Sequence, residues 1–113
     1  MKEYKQFYID GAWADPVEPR TLEIENPATE ENFAVISIGS KADVDKAVAA
    51  ARKAFPAFSQ TSVEYRAELL EKIAAGIQAR MPEMAEAISN EMGAPMWLAN
   101  AAQVPAGMGH FAT

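Results

Sequence analysis

The chain has 113 residues, no cysteine and a net charge of −6 at pH 7, which gives it the size of one ordinary domain. Without cysteine it can hold no disulfide, no thiolate metal site and no cysteine nucleophile. Nucleic-acid binding needs a cationic surface that neutralises phosphates, and this acidic composition predicts none. No apolar run approaches the ~20 residues that cross a bilayer, and the N-terminus lacks the apolar segment of a secretory signal. We therefore expect a cytoplasmic protein with no nucleic-acid partner and no membrane partner.

Residues 1–39 contain short extended runs and many turn residues. Asp10-Gly11 stands between two short apolar runs, and this predicts a two-residue β-hairpin because both turn positions need positive φ. Residues 21–25 alternate apolar with polar side chains, which is typical of a half-buried strand. Residues 33–38 form a second extended run beyond a turn at residues 26–30.

Residues 40–113 show helical periodicity. Ser40 and Asp43 predict a capping box at the start of a first helix, with Pro56 at its end. One apolar stripe is predicted along this helix. It consists of Val44, Ala47, Val48, Ala51 and Phe55. Thr61 and Glu64 repeat the capping pattern and predict the start of a second helix.

Two further helices are expected after the second. Pro82 suits the first turn of a third helix, where its missing N–H costs nothing, and Gly93 suits the position just past its end. Pro95 opens a fourth helical run. We expect Pro105, Gly107 and Gly109 to weaken it.

The residues by themselves offer little catalytic chemistry. His110 is the single histidine and fits no metal-binding spacing, so a helix-surface or half-buried role is favoured. Gly107 and Gly109 form a bare G-x-G with no strand before it, which is not a nucleotide loop. Four acidic residues could be a metal or acid/base cluster, but a solvated strand face is the better interpretation because no calcium-loop pattern is present. They are Glu23, Glu25, Glu30 and Glu31.

Six segments nevertheless occur in the order typical of one enzyme family. Phe7 to Trp13 resembles an F-I-x-G-x-W opening, and Asn26-Pro27-Ala28-Thr29 resembles an N-P-A-T turn. Glu91-Met92-Gly93-Ala94-Pro95 matches E-x-G-x-P. The remaining three are D-V-D-x-A-V at residues 43–48, A-A-R-x-A-F at residues 50–55 and R-x-x-L-L at residues 66–70. The chain therefore resembles the N-terminal portion of NAD(P)-dependent aldehyde dehydrogenases over nearly its whole length.

The resemblance implies an α/β fold. Residues 1–113 would be the N-terminal part of the Rossmann-like NAD-binding domain, strand-rich over 1–39 and helical over 40–113. It also implies oxidation of an aldehyde to a carboxylic acid with NAD or NADP by a dimer or tetramer. The family's cysteine nucleophile, its glutamate base and its cofactor contacts lie beyond this stretch, so the 113 residues alone are predicted to be inactive.

The resemblance also implies roles for five residues of this sequence. In many members a structural Na⁺ or K⁺ is bound by backbone carbonyls just before N-P-A-T and by the acid of E-x-G-x-P, which correspond here to Ile24, Glu25 and Glu91. Local capping by the carboxylate is an equal alternative. Ala102 and Ala106 correspond to the mouth of the substrate tunnel, where small residues suit a bulkier aldehyde, although helix packing is the competing interpretation.

A second hypothesis comes from a different class of protein. The missing cysteine is also compatible with a stand-alone, non-catalytic helical interaction module that uses the same fold. That hypothesis is weakened by the few, short strands, which are too little sheet for the apolar helix faces to pack against.

Overall fold

A computed structural model describes all 113 residues and shows an α/β chain with its strands before its helices. The strands are β1 (Lys2–Tyr4), β2 (Phe7–Ile9), β3 (Ala12–Ala14), β4 (Thr21–Asn26) and β5 (Glu31–Ser37). The helices are α1 (Lys41–Ser59), α2 (Val63–Ala79), α3 (Met81–Met92), α4 (Met96–Leu98) and α5 (Val104–Ala112), with a π-helical segment (Ala99–Gln103) between the last two. No helix has the length and apolar character needed to span a membrane.

The chain divides into two compact units. Unit 1 contains residues 1–25 and 31–60, and unit 2 contains residues 26–30 and 61–113. Unit 1 therefore holds nearly all of the strands together with α1. Unit 2 holds the remaining helices together with the turn that joins β4 to β5.

The three-stranded sheet of unit 1 has the order β1-β5-β4. β1 runs parallel to β5, with Glu3 opposite Val35. The central strand β5 is the buried one, since Ala34 is 3% and Val35 9% exposed. The sequence did not predict β1, because Lys2–Tyr4 is exposed throughout and carries no apolar alternation.

The predicted hairpin is confirmed. β2 and β3 pair antiparallel with Ile9 opposite Ala12, which leaves a two-residue turn. Asp10 has φ +55° and Gly11 has φ +74°, as a type I′ turn requires. The rings of Tyr8 and Trp13 meet edge to face across the hairpin at a centroid distance of 5.2 Å.

Helix α1 begins as its sequence predicts. The Ser40 side chain accepts from the Asp43 N–H, and the Asp43 carboxylate accepts from the Ser40 N–H, which completes the capping box. The predicted end at Pro56 is wrong, because the helix continues to Ser59 with the proline inside it. The apolar stripe is largely exposed, with Phe55 at 67% and Val44 at 58%.

Helix α2 begins one residue later than predicted. Ser62, and not Thr61, caps it by accepting from the Tyr65 N–H. The adjacent hydroxyls make the two positions hard to distinguish by sequence. Thr61 instead accepts from the Arg66 guanidinium through its carbonyl and its hydroxyl.

The two helical ends predicted for α3 are confirmed. Pro82 lies in its first turn, and Gly93 ends it in the left-handed conformation with φ +76°. The fourth run continues to Ala112 in spite of Pro105. The Val104 N–H reaches back to the Ala99 carbonyl at the end of the π-helical segment, one residue beyond ordinary helical spacing.

The core of unit 2 is small and built from small side chains. Ala85 and Ala99 are completely buried and Val104 is 3% exposed. Half-buried side chains surround them. They are Ile77, Met81 and Ile88. No large side chain of the chain is fully buried, while Val63, Met92 and Trp97 each expose about two thirds of their surface or more.

Candidate functional site

The N-P-A-T turn and the E-x-G-x-P motif meet within unit 2. The N-P-A-T turn places Pro27 beside Gly93 of E-x-G-x-P, so closely that a Cβ on Gly93 would lie 2.9 Å from the Pro27 Cγ. Asn26 and Asn90 also face each other, with 3.5 Å between the Asn26 Nδ2 and the Asn90 Oδ1. Glycine is therefore favoured at position 93 both by the positive φ and by the close approach of Pro27.

The predicted cation ligands occupy two kinds of element. Ile24 is half-buried and Glu25 exposed in β4, and Glu91 is exposed near the end of α3. No group of three or more acidic, histidine or cysteine side chains is arranged to hold a metal ion. The predicted site uses two backbone carbonyls and a single carboxylate, so it needs no such group of side chains, and it stays a prediction.

The predicted tunnel residues lie on the irregular helical run. Ala102 belongs to the π-helical segment and Ala106 to α5, and both are exposed. Between them, Val104 is buried against the core of unit 2. One side of this run therefore packs, while Ala102 and Ala106, four residues apart, expose their methyl groups.

Gln103 is a polar residue in this run that sequence reasoning missed. Its Oε1 atom is buried and accepts no hydrogen bond. An unpaired buried amide oxygen is costly, so the residue is a candidate for contact with a donor. No sequence pattern indicated it, because a glutamine in a helical run is usually exposed.

The remaining predicted features carry no site. Gly107 and Gly109 both lie inside α5, and His110 is exposed in its last turn. In the acidic cluster, Glu23 accepts from the Asn32 Nδ2 at 2.6 Å across the β4–β5 pair. Because Gly107 and Gly109 are helical, they do not form a glycine-rich loop.

The one buried carboxylate has a structural environment. Asp43 is 5% exposed, and its second oxygen accepts from the Val17 N–H at 3.0 Å. Hydrogen bonds from the Ser40 N–H, and next from the Val17 N–H, lower the pKa of Asp43. The sequence predicted the helix cap but not the link to residue 17, which is 26 positions away.

Comparison with known proteins gives a consistent result. The family model described as "Aldehyde dehydrogenase family" matches residues 13–113. The chain is 48% identical over 114 aligned residues to 3-succinoylsemialdehyde-pyridine dehydrogenase of a Pseudomonas species, covering 100% of this chain and 24% of that protein. The chain thus spans about a quarter of the length of this relative.

Solved structures agree in detail. An aldehyde dehydrogenase from Bartonella henselae is 45% identical with a TM-score of 0.96, over 98% of this chain and 23% of that one. A mutant of aldehyde dehydrogenase C from Pseudomonas syringae, in complex with NAD⁺ and octanal, is 50% identical with a TM-score of 0.93. That match covers 95% of this chain and 22% of the other.

Proposed function

The chain belongs to the aldehyde dehydrogenase family, and from this we propose that the whole protein oxidises an aldehyde to a carboxylic acid with NAD or NADP. The observation that carries the proposal is the match to a structure that holds both NAD⁺ and octanal, at 50% identity. The 113 residues contribute scaffold and contain no cysteine to act as nucleophile. We therefore expect them to be inactive alone, with the cofactor held by other parts of the protein.

The proposal includes roles for the five residues that the family resemblance singled out. Ala102 and Ala106 would border the aldehyde's path, and their exposure beside the buried Val104 supports this. Ile24, Glu25 and Glu91 would hold a Na⁺ or K⁺. Support for the cation site comes from the N-P-A-T and E-x-G-x-P motifs, which both occur in this chain. We further propose that the whole protein is a cytoplasmic homodimer or homotetramer.

The first experiment is an intact mass of the purified protein. A mass near 12.2 kDa restricts the question to what this segment binds. With a mass several times larger, aldehyde oxidation is assayed with NAD and with NADP, before and after thiol alkylation. Loss of activity on alkylation supports the proposal, since the nucleophile would be a thiolate. Activity that alkylation leaves intact contradicts it.

The proposed role of Ala102 and Ala106 at the substrate tunnel can be tested in the active protein by replacing a small side chain with a larger one. Ala106→Leu should raise KM for a long-chain aldehyde and leave KM for acetaldehyde nearly unchanged, because only the longer chain needs the space. Ala87→Leu, on an exposed face of α3, is the matched control. Equal effects on both substrates would point to helix packing instead.

The alternative function is a stand-alone, non-catalytic helical module, which the absence of cysteine favours. The exposed apolar faces argue against it, because a stable monomer rarely leaves so much apolar surface in contact with water. Twenty large hydrophobic side chains are exposed, Trp13, Phe55 and Trp97 among them. We expect the isolated chain to be marginal, molten or self-associating. A cooperative melt at a monomeric sedimentation mass would favour the module.

A further inference from the structure

We infer that the Asp10–Gly11 peptide bond is a site of spontaneous isomerisation, at which this chain acquires an isoaspartyl linkage. The reaction needs an aspartate side chain and the free N–H of the next residue. The hairpin turn supplies both, and the three other aspartates lack one or the other. The inference is independent of the proposed enzymatic function, because it rests on the turn alone.

The attacking group is the Gly11 nitrogen. Residues paired nearest the turn are Ile9 and Ala12, so Gly11 lies outside the strand ladder and its N–H donates to no backbone oxygen. Gly11 has no side chain, and even the space where a Cβ would stand has no atom within 4 Å. The Gly11 nitrogen therefore has no backbone hydrogen bond to lose and no side chain of its own in the way of the attack.

The attacked group is the Asp10 carboxyl. It is exposed, and it takes part in no hydrogen bond or ion pair. Asp10 also has a positive φ of 55°, a conformation that is unfavourable for a residue with a Cβ. Opening of the turn thus gives up no side-chain contact of Asp10 and relieves its backbone.

The other three aspartates provide internal controls. Asp15 precedes Pro16, which has no N–H, and it accepts from Gln6. Asp43 is held by three hydrogen bonds, and the following N–H donates to the Ser40 carbonyl within the helix. Asp45 pairs with Lys41, and the N–H after it lies within α1.

The chemistry balances without any co-reactant except water. The Gly11 nitrogen forms a bond to the Asp10 Cγ, a carboxyl oxygen leaves as water, and the N–H proton passes to solvent, which yields a five-membered succinimide. Water then adds to one of its two carbonyls and breaks that carbon–nitrogen bond. Opening at Cγ restores aspartate, and opening at the main-chain carbonyl leaves the chain running through the side chain.

The product would change the hairpin. An isoaspartyl residue adds one carbon atom to the main chain, and a two-residue type I′ turn has no space for it in the register of Ile9 with Ala12. The edge contact of Tyr8 with Trp13 depends on that register. We expect the aromatic near-UV signal of this pair to fall as the isomer accumulates.

The test ages the whole folded protein, not the isolated 113 residues, at neutral pH in heavy-oxygen water, with and without urea, and maps the peptides by mass. Each succinimide cycle adds one heavy oxygen. The isoaspartyl form is scored with an isoaspartyl methyltransferase. The expected result is labelling of Asp10 at a native rate within severalfold of the urea rate, and none at Asp43 or Asp45. Asp10→Glu, which would need a six-membered ring, should abolish it. A native rate an order of magnitude below the urea rate, with the Tyr8–Trp13 signal intact, would overturn the inference.

Discussion

Different interactions stabilise the interior of each of the two units. In unit 1, Asp43 accepts from the Val17 N–H, and the Ser37 hydroxyl donates to the Lys5 carbonyl at 2.6 Å, so polar side chains fix segments distant in sequence. In unit 2, the fully buried residues are Ala85 and Ala99, which let helices approach closely. Unit 1 should therefore be sensitive to charge, and unit 2 to side-chain volume.

The largest effect is expected from adding volume to unit 2. Ala85→Leu forces extra carbon atoms into a site with no exposed surface and should cost about 1–3 kcal/mol of local stability. Amide hydrogen exchange of α3 and α5 measures this cost, in TMAO so that a marginal chain stays compact. Ala87→Leu, exposed on the same helix, should change protection little. Similar losses in both variants would show that volume is not what limits unit 2.

A glycine pair tests backbone conformation within unit 2. Gly93→Ala should cost about 1–2 kcal/mol, because alanine at φ +76° is strained and its Cβ would contact Pro27. Gly76→Ala, inside α2 with nothing within 4 Å, should instead stabilise by about 0.5–1 kcal/mol. Amide hydrogen-exchange protection around each position measures whether the substitution stabilises or destabilises the unit. A neutral Gly93→Ala would mean that the Pro27 turn moves freely.

The sequence predicted local structure better than tertiary structure, and these residues show why. Gly93 and the Asp10–Gly11 turn depend on positive φ, and the tolerance of positive φ is a property of the residue type. The capping box at Ser40 spans three residues and could also be predicted. The bond from Asp43 to Val17 could not, because no local sequence pattern indicates a partner 26 positions away. The tunnel and cation residues came only from family resemblance, since small side chains and backbone carbonyls leave no chemical signature.

The next largest effect is expected from removing one charge in unit 1, which should lower the stability of that unit. Asp43→Asn keeps the shape of the side chain but replaces one acceptor oxygen with a donor, which then faces the N–H of Ser40 or Val17. We expect lower protection at the start of α1 and in residues 15–19. Asp45→Asn, whose exposed carboxylate pairs only with Lys41, is the control and should be nearly silent. Unit 2 should be unaffected by either change.

The same carboxylate predicts a pH dependence confined to unit 1. Its pKa is lowered in the folded chain, chiefly by the Ser40 N–H, so the ionised form is bound more tightly by the fold than the protonated form. Its contribution is complete above the ordinary aspartate range and is lost as pH falls through the lowered folded value. Protection of α1 should fall with acidification, and Asp43→Asn should flatten that part of the profile. An equal slope in the variant would assign the effect to other carboxylates.

The smallest effect compares one exposed helical ion pair from each unit. Glu68 and Lys72 in α2 have the favourable order, acid before base, and an N–O distance of 3.0 Å. Lys41 and Asp45 in α1 have the reverse order, with the lysine at the positive end of the helix dipole. Lys72→Gln should therefore cost about 0.2–0.5 kcal/mol at low salt. Lys41→Gln should be neutral or slightly stabilising, although its 2.7 Å contact is the shorter. If Lys41→Gln costs more than Lys72→Gln, contact distance and not helix position governs these pairs.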